Sequence, residues 1–249
     1  MTRALITAAG ILVAWEIAVR ALGLPFWILP PPSQVAVTLW VRGDLIAEHA
    51  VVTLVEIVLG MLFGSLLGAL TALLIARSAA MRRWLLPIVI ASQAIPVFAL
   101  APLIVLWVGY GMVSKVVMAA LIIFFPITAN FFDGLRTTQS GWVELARTMG
   151  GSDATILRQI RIPAAMPSLA QGLRIAAAVA PIGAVIGEWV GSGAGLGYLM
   201  LHANGRMQID LLFAALLVLA VMAVVLYYGL NALLRRLVSW QPETLKADT

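Results

Sequence analysis

Three carboxylic acids stand inside long apolar runs: Glu16, Glu56 and Glu188. A charge at the centre of a bilayer costs about 2.5–3.5 kcal/mol by insertion scales, so such a residue either meets a solute or is matched by a cation or by hydrogen-bond donors. Glu188 is the foremost candidate for contact with a substrate, and Trp189 beside it adds a flat ring and an indole donor. The alternative for Glu188 is a buried ion pair. Arg174 lies fourteen residues earlier on the same apolar segment, about 21 Å along a helix, so the partner has to come from another helix. For Glu56 the candidate partner is Arg20. Gln93 and Asn130, also within apolar segments, either line a polar pathway or bond between packed helices.

The residue types that carry covalent catalysis are sparse. Ser192 and His202 form a conceivable nucleophile and base, but no Gly-x-Ser-x-Gly elbow surrounds the serine and no acid stands near to orient the histidine. The glycines at 191, 193, 195 and 197 fit no Gly-x-Gly-x-x-Gly register, and no strand precedes them. There is no cysteine, and His49 and His202 stand alone, which argues against a metal site. No Gly-x-x-x-x-Gly-Lys occurs, and the only lysines are Lys115 and Lys246, so no phosphate-binding loop can hold ATP here. The chain is expected not to be an enzyme and to bind no cofactor itself.

The elements that position these residues follow from composition. Of 249 residues, 62% are hydrophobic and 11% charged, with a mean hydropathy of +1.03, so the bilayer is the solvent. Six apolar segments are long enough to span it: about 4–22, 51–76, 85–108, 113–132, 166–190 and 211–234. All are expected to be helices, because lipid offers unpaired backbone groups no partner. The first carries Glu16 and Arg20 without a small-residue cleavage pattern and reads as a retained span. Pro30, Pro31 and Pro32 interrupt helix after it, and an amphipathic stretch from Val35 to Leu45 is expected along the membrane surface. Pro96 and Pro102 interrupt the third span.

The net charge of +5 is not a nucleic-acid footprint, since no basic run exists. Arg3, Arg77, Arg82, Arg83, Arg136, Arg147, Arg158, Arg161, Arg235, Arg236 and Lys246 fall on one side of the six spans, against Arg20, Arg42, Lys115 and Arg206 on the other. Positive-inside therefore places both termini and the 133–165 loop in the cytoplasm.

Polar residues return in that loop. Between Glu144 and Pro163 two short helices flank Gly150 and Gly151; Ser152 or Asp153 caps the second, and Pro163 is expected to end it. On this second helix Ile156, Leu157 and Ile160 share one face, an apolar stripe in search of a groove.

Glu144, Ala146, Gly150, Ile160 and Pro163 have the spacing of the Glu-Ala-Ala (EAA) loop, and the chain thereby resembles the permeases of binding-protein-dependent ABC importers. Leu145 replaces the second alanine of the motif and Ile162 its leucine. The resemblance implies an all-α membrane protein of about six transmembrane helices, the ABC type I importer permease fold. It implies that residues 144–163 dock into a cytoplasmic ATPase, which holds ATP and Mg, and pass its closure to the spans. It also implies an extracytoplasmic solute-binding protein, a second permease copy in a homodimer, and a bacterial inner-membrane location. Gly195 and Gly197 resemble the tight outer turn of these permeases. The divisions expected are 1–50 (first helix and proline-rich segment), 51–240 (permease core) and 241–249 (cytoplasmic tail).

Ile95-Pro96, Ala101-Pro102-Leu103, Phe124-Phe125-Pro126-Ile127 and Gly172-Leu173-Arg174 are similar to the nitrate, sulfonate and taurine branch. Ser92-Gln93, Phe132-Asp133-Gly134-Leu135 and Gly187-Glu188-Trp189 are similar to permeases for pyrimidine precursors of thiamine, such as hydroxymethylpyrimidine. An ATP-independent transporter or channel is the alternative class, and no inverted repeat supports it.

Overall fold

Proline and glycine set the breaks between long helices. The computed structural model describes residues 2–240, so the 241–249 tail with Lys246 lies outside the described residues. The helices are α1 (Thr2–Ala21), α2 (Pro32–Val41), α3 (Gly43–Arg77), α4 (Ala79–Ser92), α5 (Val97–Val108), α6 (Met112–Arg136), α7 (Ser140–Thr148), α8 (Asp153–Ile156), α9 (Ile162–Gly191), α10 (Leu196–Gly205) and α11 (Ile209–Leu237). No strand occurs among the described residues.

The core is a packed group of α3, α6 and α9. Ile57, Ala119, Ile123, Ile127, Ala176, Ala180 and Ala184 meet at its centre. Alanine on α9 and glycine on α3 let the backbones approach closely, which is how helices associate where lipid removes the hydrophobic drive between them. Gly60, Gly64 and Gly68 lie one turn apart along α3 and face α6. At one end Val35 of α2 and Ile46 of α3 pack with Leu196, Leu199, Leu211 and Ala214 of α10 and α11. At the other, Ala72 and Ile75 pack with Phe131, Phe132, Leu135 and Ala165.

Three expectations about elements change. The third apolar segment is interrupted at Pro96 as expected, with α4 and α5 meeting at a bend of 102°, but Pro102 lies inside α5 without breaking it. Pro96, with ψ 120, keeps the chain extended where α5 begins, and it also holds Ile95 away from helical geometry. Among the described residues four helices are long and apolar enough to cross a membrane, and the bent pair, taken as one span, makes a fifth. The 4–22 segment forms the expected helix, α1, whose C-terminal half carries Glu16 and Arg20.

The amphipathic stretch also ends early. Pro32 starts α2 at its first turn, where a missing N–H is harmless, and Leu45 belongs to the 35-residue α3. Thr38 of α2 donates to Asp210 Oδ2 at 2.8 Å, tying α2 to the start of α11.

Finally, Pro163 does not end the second loop helix. Residues Leu157–Arg161 form a π turn, and the helix runs unbroken over Asp153–Gly191, 39 residues. The Ile162 N–H bonds to the Leu157 carbonyl, five residues back, and this wider turn brings the chain to Pro163 still helical. At 1.5 Å per residue such a helix measures about 58 Å, roughly twice the hydrocarbon thickness, so its first turns stand outside the membrane.

Candidate functional site

Two places concentrate the residues singled out by sequence. The first is the 140–163 segment. Helices α7 and α8 flank the glycine pair, with Gly150 at φ +82. Ser152 caps α8, accepting from the Thr155 N–H at 3.2 Å. Asp153 instead faces Arg147, 3.3 Å away. The Ala146 carbonyl accepts from the Gly151 N–H at 2.9 Å, closing the turn.

The stripe divides. Ile156 is 2% exposed, and Leu157 packs on the cluster around Ile75 and Phe132; both face the protein's own core. A π turn holds more residues than an α turn and so rotates successive side chains by a smaller angle, and the 3.6-residue period no longer keeps 156, 157 and 160 on one face. Ile160 points elsewhere, into an outward groove of about 610 Å³ with Trp142, Leu145, Ala146, Met149, Pro163 and Trp240. Met149 is 80% exposed and Leu145, Trp142 and Trp240 are each more than half exposed. Glu144, next to Leu145 in the chain, is exposed and is not among the residues that line the groove. An apolar groove of this size on a polar loop marks a protein-docking surface.

The second place is the start of α10. A helix leaves its first N–H groups without partners, and here four successive ones are met by side chains of α3 and α9. Gly195 N–H donates to His49 Nδ1 at 2.9 Å, and Leu196 N–H to Thr53 Oγ1 at 2.7 Å. Gly197 N–H donates to Glu188 Oε2, and Tyr198 N–H reaches the same oxygen at 3.3 Å. Thr53 in turn donates to Glu188 Oε1 at 2.6 Å. Glu188 is 1% exposed, and its two oxygens accept from Thr53, Gly197 and Tyr198. Trp189 donates its indole N–H to the Gly197 carbonyl at 3.1 Å, its ring half exposed.

Beside this group Lys115 Nζ donates to Glu56 Oε1 at 2.5 Å and lies 3.4 Å from the Ala194 carbonyl. Lys115, counted above as a charge of an outer loop, is thus inside α6 and buried. The partner of Glu56 is Lys115, not Arg20. Arg20 pairs with Glu16 at 2.6 Å, and Glu16 accepts from the Ser33 N–H and hydroxyl at 3.0 and 2.8 Å, capping α2. Arg174 donates to Asn231 at 2.8 Å rather than to an acid.

Of the four pathway candidates, Glu188 and Trp189 come together at the 195–198 turn with Gly195 and Gly197. Asn130 is turned back on the Pro126 carbonyl at 2.7 Å. Gln93 is exposed where α4 ends at the bend. The Ser192 hydroxyl bonds the Ala194 backbone, while His202 packs on Tyr198 with ring centres 4.2 Å apart, so the two do not form a dyad. Sequence reading missed Thr53 and set His49 aside as standing alone, though it lies on α3; their one signal is a spacing of three and seven residues before Glu56, which places all three along one face of a helix.

Long apolar helices packed around a buried polar cap define a multi-pass membrane protein, and comparison with known proteins gives its family. Residues 56–240 match the family described as binding-protein-dependent transport system inner membrane component, and the chain belongs to that family. A "Probable ABC transporter permease protein" of Haemophilus influenzae is 50% identical over 238 residues, covering 96% of this chain and 97% of its own. The formylaminopyrimidine transport permease ThiX of Halalkalibacterium halodurans is 37% identical, with 93% and 92% covered. The riboflavin transport system permease RibX of Chloroflexus aurantiacus is 39% identical, with 95% and 89% covered. Among solved structures, an inward-facing MetNI methionine ABC transporter has a chain with TM-score 0.69 at 20% identity, covering 78% of this chain and 97% of that one. The fold is therefore the type I importer permease fold, and the chain is a multi-pass inner-membrane transport subunit, not an enzyme.

Proposed function

We propose that this permease carries a neutral nitrogen heterocycle of the pyrimidine type, such as hydroxymethylpyrimidine, a thiamine precursor, into the cell. The observation that carries this reading is the ranking of relatives: permeases named for formylaminopyrimidine and riboflavin are 37% and 39% identical. Those named for taurine and aliphatic sulfonates are 32% and 29% identical. The first two cargoes are ring systems without a sulfonate, whereas the latter carry one, with a compensating ammonium in taurine. Glu188 is not assigned to the cargo, because its oxygens are committed to α10. Recognition is assigned to the exposed ring of Trp189, which offers stacking, and to Gln93.

ATP and Mg act on a separate ATPase, and this chain binds no cofactor. Glu144, Ala146, Gly150, Ile160 and Pro163 form the docking surface for that ATPase, with Ile156 and Leu157 seating the segment on the bundle. Closure of the ATPases would swing the 153–161 turns, and the continuous helix transmits the swing into α9. The subunit works as a homodimer beneath an extracytoplasmic binding protein, with residues 51–240 as the transport core. Its termini face the cytoplasm; with Lys115 buried, three arginines remain on the outer side, which strengthens the charge bias.

The test is uptake into proteoliposomes holding this subunit, its ATPase and its receptor. ATP-dependent accumulation of labelled hydroxymethylpyrimidine, uncompeted by taurine, is expected. Accumulation of taurine or an alkyl sulfonate in its place would overturn the cargo assignment.

A further inference from the structure

Behind the coupling segment lies a second cavity of about 650 Å³, and its lining is polar. Four arginines converge on it: Arg77 and Arg82 from the α3–α4 junction, Arg147 from α7 and Arg161 from the π turn. Asp153 is the only acid among the lining residues, and it faces Arg147 at 3.3 Å. Three guanidinium groups are therefore left without a carboxylate among the described residues. Like charges do not gather without a counter-charge, and guanidinium forks match the oxygens of phosphate.

The depth of the cavity indicates where the phosphate comes from. Arg77 ends the long apolar α3 and Arg82 lies in the first turns of α4. Trp84 is 74% exposed, and Met81 and Ile88 of the same helix are exposed with it. Tryptophan beside arginine at the end of an apolar helix belongs to the headgroup layer, so α4 carries an apolar flank for acyl chains within two turns of Arg82. A soluble anion would use the arginines and leave that flank idle.

We propose that this cavity binds the phosphate-bearing headgroup of an anionic phospholipid, bridging the α3–α4 junction to the base of the coupling segment. A bound headgroup would offset part of the positive charge of Arg77, Arg82 and Arg161 and hold the protruding turns of the 153–191 helix to the bundle, so lipid composition would tune how well ATPase closure is transmitted.

The test uses the full importer in nanodiscs of phosphatidylglycerol or of phosphatidylcholine; nanodiscs expose both leaflets, so neither the orientation nor the cargo proposed above enters the result. Native mass spectrometry reads retained lipid, and basal ATPase activity reads coupling. Wild type is expected to retain phosphatidylglycerol selectively. In R77Q/R82Q retention should weaken roughly thirtyfold, counting about a factor of five for each arginine at a membrane surface, while R77K/R82K keeps most of it. Basal activity of wild type should differ between the two lipids and that of R77Q/R82Q should not. The proposal is overturned if wild type retains both lipids equally, a comparison that needs no variant to fold. It is also overturned if R77Q/R82Q retains phosphatidylglycerol like wild type, or if millimolar inorganic phosphate displaces the lipid, which would make this a soluble-anion site.

Discussion

Lys115 Nζ lies 2.5 Å from Glu56 Oε1, joining α6 to α3 inside the bundle. Lys115 is 4% exposed and Glu56 fully buried. Breaking a buried pair by removing one partner costs about 3–5 kcal/mol, because the other charge is left uncompensated. Lys115→Met should lower the thermal midpoint of the purified subunit sharply, and the double variant E56Q/K115M should lose less than the sum of its singles. Unfolding in detergent checks this, and a K115M subunit that melts like wild type would show that the pair carries no weight.

Glu188 is expected to act through α10 rather than on cargo. Glu188→Ala strips the Gly197 and Tyr198 N–H groups of their acceptor, and each buried donor left unpaired costs about 1–3 kcal/mol. Stability and uptake should fall together, with cargo preference unchanged. A shifted preference at wild-type stability would place the carboxylate on the substrate.

On the coupling surface, Glu144→Lys and Met149→Asp change exposed side chains at or beside the apolar groove. Isolated-subunit stability should stay within about 0.5 kcal/mol, the usual range for surface changes. Affinity for the ATPase should fall about tenfold or more, as for a central interface residue. Pull-down of the ATPase and ATP-driven uptake check the pair of outcomes; intact association with either variant would remove the groove from the docking surface.

Much of this was legible in the sequence because lipid is a strict solvent. It demands long helices, so all six expected segments are helical, one of them as a bent pair, and the spacing of Glu144, Gly150 and Pro163 located the protruding segment. The partners of the buried acids were not legible. Glu56 and Lys115 are 59 residues apart in the chain, and no local rule names which distant helix supplies a cation. Pro163 misled for a different reason: proline interrupts an α ladder, but a π turn ahead of it lets the helix pass.

The approach of α3 to α6 yields the sharpest steric prediction. A Cβ built on Gly64 would lie 2.9 Å from the Ala120 carbonyl oxygen and from Ile123 Cγ2, and one on Gly68 would lie 2.9 Å from the Phe124 carbonyl oxygen. Those oxygens belong to the α6 backbone, so they cannot step aside as a flexible side chain would. Gly64→Ala and Gly68→Ala would each force the helices apart, at about 1–3 kcal/mol for overpacking. Helix propensity alone predicts the opposite sign, since alanine is favoured over glycine by roughly 1 kcal/mol in a helix interior. Gly43, at the start of α3, meets nothing within 4 Å, so Gly43→Ala supplies the control. Thermal midpoints should fall for positions 64 and 68 and hold or rise for 43; a rise at 64 or 68 would mean that α3 and α6 are not packed this closely.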